Sequence, residues 1–160
     1  GIAFGTGTHP TTALCLQWLD NQEVKGKTVV DYGCGSGILA IASALLGARH
    51  VWAIDYDPQA LHAAAHNTRQ NNVEAQITIG APDALPEQEY DIILANILAK
   101  PLLELAPRFA GLLKPGGQLV LSGLLASQVT EVCDRYQAWF AIDEVMETEE
   151  WIRVSATRRP

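Results

Sequence analysis

Long hydrophobic runs are missing from this sequence. The longest apolar stretch, over residues 39–47, is broken by Ser43 and falls far short of the ~20 residues needed to cross a bilayer, so no membrane span is expected. Paired cysteines are missing too. Cys15, Cys34 and Cys133 are odd in number, widely spaced and without a C-x-x-C pair, which argues against a disulfide framework or a zinc site; no metal is expected. Charge is scarce, and basic charge most of all: 11 Lys and Arg stand against 18 Asp and Glu, a net charge of −7. That balance disfavours nucleic-acid phosphates and favours a cationic partner. Residues 1–5 carry neither the basic start nor the apolar run of a signal peptide, which points to the cytoplasm.

What remains is a chain built around a core. With 48% hydrophobic residues in 160, one domain is expected. Short Val, Ile and Leu runs alternate with amphipathic stretches from Lys27 onward, the pattern of a mostly parallel sheet covered on both faces. Strands are expected at 28–32, 51–55, 76–79, 91–95 and 118–122, followed by an antiparallel pair at 141–145 and 151–157 separated by the acidic stretch 146–150. Three helices read by periodicity, with stripes Ile38, Ile41, Ala42, Leu45; Leu102, Leu105, Ala106, Phe109; and Val129, Val132, Cys133, Tyr136. A further crossover begins Asp57-Pro58, an N-cap acid and a first-turn proline, and ends near Asn71-Asn72. Lys114-Pro115-Gly116-Gly117 reads as a tight turn into the fifth strand. Ahead of the first strand, 8–12 cap a helix carrying Leu16 and Leu19. A chain that begins in the loop preceding that helix is expected to be part of a longer protein.

The chemistry concentrates in Asp31-Tyr32-Gly33-Cys34-Gly35-Ser36-Gly37, where the first strand turns into the first crossover helix. Glycines tolerate positive φ and let a ligand approach the backbone, and the helix N-terminus offers N–H groups to an anionic group. Tight packing alone also produces such turns. The G-x-G-x-G spacing, with Ile38 where a dinucleotide fingerprint needs its last glycine, disfavours a nicotinamide cofactor. Asp55 ends the second strand, where a carboxylate can accept both hydroxyls of a ribose; Asp57 is better placed to cap the following helix. Asn96 ends a buried apolar strand, a costly place for an amide without a partner.

These features resemble the class I S-adenosylmethionine-dependent methyltransferases. The segments Ala3-Phe4-Gly5-Thr6-Gly7-Thr8-His9-Pro10-Thr11-Thr12 and Leu94-Ala95-Asn96-Ile97-Leu98 narrow the resemblance to the ribosomal protein L11 methyltransferase family, over its catalytic domain. The resemblance implies a Rossmann-like α/β fold with a seven-stranded sheet, S-adenosyl-L-methionine as cofactor, and a preceding substrate-recognition domain in the intact protein. It also implies methylation of lysine or N-terminal amines of a large-subunit ribosomal protein; the acidic balance argues against a direct nucleic-acid partner, and a monomer is expected. Carried over by position, the resemblance implies that Thr12, Gly33, Asp55 and Asn96 contact the cofactor and that Asp83 accepts from the adenine amino group; the glycine-rich turn adds Gly35 and Gly37, and the two glycines of the 4–9 loop permit a movement by which Phe4 is expected to close over the methionine end. A plain helix residue at Thr12 and a turn aspartate at Asp83 are the simpler readings of those two positions.

Asn96 is the expected catalytic residue, its side-chain carbonyl accepting from the substrate amine. Ile97-Leu98 replaces the Pro-Pro-aromatic motif of enzymes that act on planar amides and nucleobases, which argues against such substrates. His9 is a candidate proton acceptor, but its place before Pro10 at a helix start better suits a structural or lid residue, and Cys34 reads as a small packing group. The alternatives are a small-molecule or nucleic-acid amine methyltransferase and a non-catalytic S-adenosylmethionine-binding adaptor.

Overall fold

The computed structural model describes residues 9–160. Seven strands form one sheet: β1 (Thr28–Tyr32), β2 (His50–Ile54), β3 (Ile77–Gly80), β4 (Tyr90–Asn96), β5 (Leu113–Leu125), β6 (Phe140–Thr148) and β7 (Trp151–Arg158). Their order is β3-β2-β1-β4-β5-β7-β6, with β1 to β5 mutually parallel and β7 antiparallel to both neighbours. Helices α1 (Pro10–Asp20), α2 (Ile38–Leu45) and α3 (Pro58–Gln70) cover one face, and α4 (Ala99–Leu112) and α5 (Val129–Tyr136) the other. The mostly parallel seven-stranded architecture and its antiparallel terminal strand are as the sequence pattern predicts.

Local chemistry explains the ends of the elements. Asp57 caps α3 by accepting from the Gln59 backbone N–H at 2.9 Å, with Pro58 in the first turn. The helix stops at Asn71, followed by Asn72 at φ 57°. His9 caps α1: its Nδ1 accepts from the Thr11 N–H at 3.2 Å.

Three expectations are corrected. In α2 the buried residues are Leu39, Ala40, Ile41, Ser43 and Ala44, while Leu45 is 64% exposed. A short helix that is apolar on nearly every side gives periodicity nothing to orient it. Here the small residues Ala40, Ser43 and Ala44 face inward, and the Ser43 hydroxyl is satisfied by the Leu39 carbonyl at 2.8 Å. The 114–117 turn is instead an excursion within β5: Leu113 pairs with Tyr90, and pairing resumes at Gln118 with Ile92. Gly116 at φ 82° makes the bend, and Lys114 is tied to Asp91 by an ion pair. Finally, β6 runs through Thr148, so the first three residues of the acidic stretch 146–150 are strand. The turn that follows puts Glu149 and Glu150 at φ 52° and 72°, the left-handed pair that matches the twist of a two-residue hairpin.

Two aromatic pairs join α4 and α5 to the sheet within one hydrophobic cluster. Tyr32 meets Phe109 edge-on at 5.2 Å between centroids, and Tyr136 packs on Phe140. The buried Tyr136 hydroxyl donates to the Leu102 carbonyl at 2.6 Å, joining α5 to α4. Tyr136→Phe is expected to lower stability by about 1 kcal/mol, the net worth of one buried hydrogen bond, read as a lower urea midpoint at unchanged slope.

Candidate functional site

The chain leaves β1 in two directions, through β2 and β3 on one side and to β4 on the other. Doubly wound sheets bind ligands at the carboxyl ends of the strands beside such a switch point. A cavity of about 290 Å³ lies there, lined by Asp31 of β1, the turn residues Gly33 to Ser36, Asp55 after β2, Asn96 at the end of β4, and the first turns of α2 and α3.

The glycine-rich turn is shaped by hydrogen bonds before any ligand is considered. The Gly33 and Cys34 N–H groups both donate to the Ile54 carbonyl, at 2.7 and 2.9 Å, which folds the turn over the end of β2. The Gly35 N–H donates to Asp55 Oδ2 at 2.9 Å, and the Asp57 N–H to Asp55 Oδ1 at 3.0 Å. Asp55 is thereby held with lone pairs on both oxygens still available.

The three glycines do different work. Gly33, at φ 79°, lies so close to Ile97 that an added Cβ would fall 2.2 Å from Ile97 Cγ2. Gly37, at φ 88°, would meet Ala64 of α3 at 3.2 Å and does not line the cavity. Gly35, at φ 54°, has nothing among the described residues within 4 Å of that position and does line it. Only Gly35 leaves room for a ligand on its Cβ side; the other two let neighbouring elements close up.

Two buried acceptors face the cavity. Asp31 is 1% exposed; its Oδ2 accepts from the Ala40 N–H at 3.0 Å in the first turn of α2, and its Oδ1 has no donor among the described residues. Burial pushes its carboxyl up to about 7, against the lowering effect of the Ala40 hydrogen bond, with the nearby Asp55 charge adding to the rise. Asn96 is 5% exposed, and its Oδ1 likewise has no donor among the described residues. Cys34 is inert by environment: burial, then Asp31 and Asp55, push its thiol far above the ordinary range.

Of the residues singled out from sequence, Gly33, Gly35, Asp55 and Asn96 meet at this cavity. Thr12 is fully buried in the first turn of α1 and Asp83 is exposed in the turn Pro82–Ala84; neither is among the lining residues. Phe4 lies outside the described residues. His9 uses Nδ1 as a cap acceptor and meets Trp151 edge-on at 5.0 Å between ring centroids. Sequence reasoning missed Asp31 as a site residue, although an acid inside the run Thr28-Val29-Val30-Asp31-Tyr32 carries the same desolvation signal that marked Asn96. It also missed Gln59, Ala60 and Ala63 of α3, for which the sequence held no signal.

Gly35→Ala is expected to fold with a loss of about 1 kcal/mol from the left-handed backbone, while Gly33→Ala loses about 3 kcal/mol or more through its clash with Ile97; paired urea titrations check the contrast. For Asp31 the sign follows from a folded-state pKa above the unfolded one. The protonated carboxyl is the form the fold prefers, so stability is full below about pH 4 and falls as pH rises through about 7. Asp31→Asn, which has no such charge, is expected to gain on the wild type across that window, by on the order of 4 kcal/mol at its end, measured as denaturation midpoints at pH 4 and pH 8.

Comparison with known proteins agrees with this geometry. The family model described as ribosomal protein L11 methyltransferase (PrmA) matches residues 1–159. A protein of that name from Marinobacter nauticus is 58% identical over 160 residues, covering 99% of this chain and 54% of its own length, and one from Pseudomonas aeruginosa is 55% identical with the same coverage. The chain thus spans about half the length of these curated relatives. The crystal structure of a ribosomal protein L11 methylase from Lactobacillus delbrueckii subsp. bulgaricus superposes with a TM-score of 0.86 at 34% identity, over 96% of this chain and 81% of that one. An RNA methyltransferase from Salinibacter ruber, solved with S-adenosyl-L-homocysteine, shares the fold at a TM-score of 0.72 and 20% identity, over 94% of this chain and 91% of that one. By sequence over nearly its whole length, and by fold, this chain belongs to the ribosomal protein L11 methyltransferase family.

Proposed function

We propose that this chain binds S-adenosyl-L-methionine and catalyses transfer of its methyl group to amino groups of ribosomal protein L11, lysine side chains or the N-terminal amine. The observation that carries the reading is the pair of buried acceptors, Asp31 Oδ1 and Asn96 Oδ1, in one cavity with the Asp55 carboxylate and the open side of Gly35. Buried acceptors call for donors, and a cationic ligand with an ammonium group and a ribose diol brings them. Asp31 would take the ammonium group and Asp55 the ribose hydroxyls.

When bound, the cofactor supplies an already activated sulfonium methyl, so the protein contributes proximity and alignment. Asn96 Oδ1 accepts one N–H of the incoming amine and leaves its lone pair to face the methyl group. The amine reacts as the neutral base, and a lysine amine, with a reference pKa of ~10.4, is eased toward that form by desolvation and by neighbouring positive charge. Among the described residues neither histidine nor lysine lines the cavity, which supports a mechanism of positioning over one of side-chain proton abstraction.

The net charge of −7 supports an amine-bearing protein over nucleic acid as partner. Because the relatives are about twice as long, the proposal gives this chain the methyl-transfer step and assigns recognition of the ribosomal protein to the rest of such a protein, working as a monomer in the cytoplasm. Among the described residues no helix is long and apolar enough to cross a membrane.

Calorimetric titration with S-adenosylmethionine, S-adenosylhomocysteine and NAD is the test. Saturable binding of the two sulfur ligands alone is expected, weakened about tenfold or more by Asp55→Ala through lost charge-assisted hydrogen bonds. Binding of NAD, or no binding of either sulfur ligand, overturns the reading.

A further inference from the structure

One side chain of β7 belongs neither to the cavity nor to ordinary apolar packing. Arg153 is 4% exposed, on the face of the sheet that α1 covers. Its Nη1 donates at 3.0 Å to the main-chain carbonyl of Leu14, in the second turn of α1. Its Nη2 is paired with the Glu144 carboxylate of β6, and its Nε has no partner among the described residues. A buried guanidinium with an unfilled donor is a costly way to hold a helix to a sheet, and apolar side chains of similar volume often do it with equal or greater stability. Core stability therefore does not account for an arginine here.

Register connects it to the cavity. Asn96 of β4 pairs with Ser122 of β5, and Ser122 pairs with Arg153 of β7, so the three stand in one row across the sheet. Alternation along β4 places Asn96 on the same face as Leu94, which packs with Cys15 and Trp18 of α1. Cys15, next to Leu14, sits beside Ser122 and lies within electrostatic reach of both Arg153 and Asp31. Helix α1 thus meets the row at Cys15 and Ser122, and the guanidinium grips the adjacent carbonyl. Only a planar fork reaches Leu14 in one direction and Glu144 in another; a lysine ammonium is a single point on a flexible stem.

We propose that Arg153 is a positioning residue for the cofactor cavity: bridging Leu14 of α1 and Glu144 of β6, it sets how deeply α1 seats beside Asn96 and Asp31. The identity of the ligand in this inference rests on the S-adenosylmethionine reading. Arg153 touches no ligand itself; it acts through the helix.

The test is titration of Arg153→Met, Arg153→Lys and Glu144→Gln with S-adenosylhomocysteine, reading site number and Kd separately, beside hydrogen exchange of the α1 amides without ligand. Arg153→Met is expected to keep the wild-type site number with Kd raised about tenfold, and to exchange faster over residues 13–18. Arg153→Lys is expected to fall between that and the wild type, and Glu144→Gln, which keeps an acceptor, to stay within about twofold. If Arg153→Met is not recovered folded, Arg153→Lys carries the test, because it retains the buried charge. A reduced site number at unchanged Kd marks a merely structural residue and overturns the proposal, as does a wild-type Kd in both arginine variants. Wild type that binds no S-adenosylhomocysteine overturns the ligand reading. In that case unaltered exchange in Arg153→Met overturns the anchoring of α1 as well, and faster exchange upholds it.

Discussion

A buried carboxylate governs the site. Asp31 sits at 1% exposure on a central strand with one backbone N–H for a partner, and taking a charge out of water at that depth costs several kcal/mol. The cost is partly offset because the donor, Ala40, lies in the first turn of α2, where unpaired N–H groups and the helix dipole favour negative charge. The position of α2, the fold of the turn that feeds it and the proximity of Asp55 all bear on this one group. Its ionisation near neutrality follows from that balance, and so does its fitness to receive a cationic ligand.

The glycine-rich turn shows that one motif holds two kinds of glycine. Gly33 and Gly37 are small so that Ile97 and Ala64 can come close; they fix where β4 and α3 stand relative to the turn. Gly123, at φ 91°, does the same from the other side of Ile97, where an added Cβ would fall 2.3 Å from the Ile97 carbonyl oxygen. Ile97 is thus wedged between two strand ends, and Asn96, its neighbour, is aimed by that wedge. Gly33 and Gly35 both line the cavity, but of the three glycines Gly35 leaves its Cβ side open to it. A motif written as three equivalent glycines conceals this division, which depends on what packs behind each.

Polar groups elsewhere on the α1 face follow the same economy. Thr11, Thr12, Ser122, Arg153 and Ser155 are all buried there. The Ser122 hydroxyl is committed to the Ile152 carbonyl at 3.0 Å, and burial, with the Asp31 charge adding, pushes the Cys15 thiol up to about 12, so it stays a neutral packing group. A layer of this kind holds a helix in one orientation, because its hydrogen bonds are directional where apolar contacts are not.

By itself the sequence determined the class of fold and the neighbourhood of the site. Short β-branched runs, the capped start at Asp57-Pro58 and an Asn at the end of an apolar strand are local signals, and each reports a desolvation cost or backbone preference that can be read before its tertiary partner is known. Tertiary structure decided the rest. It turned α2 onto its small residues and drew β6 through the acidic stretch. It separated Gly35 from Gly33 and Gly37, left Asp83 outside the cavity lining and added the first turn of α3 to it. The reason is common to all of these: which side of a helix faces inward, and what fills the space beside a glycine, are set by contacts between residues distant in sequence, and a single chain read in order carries no record of those distances.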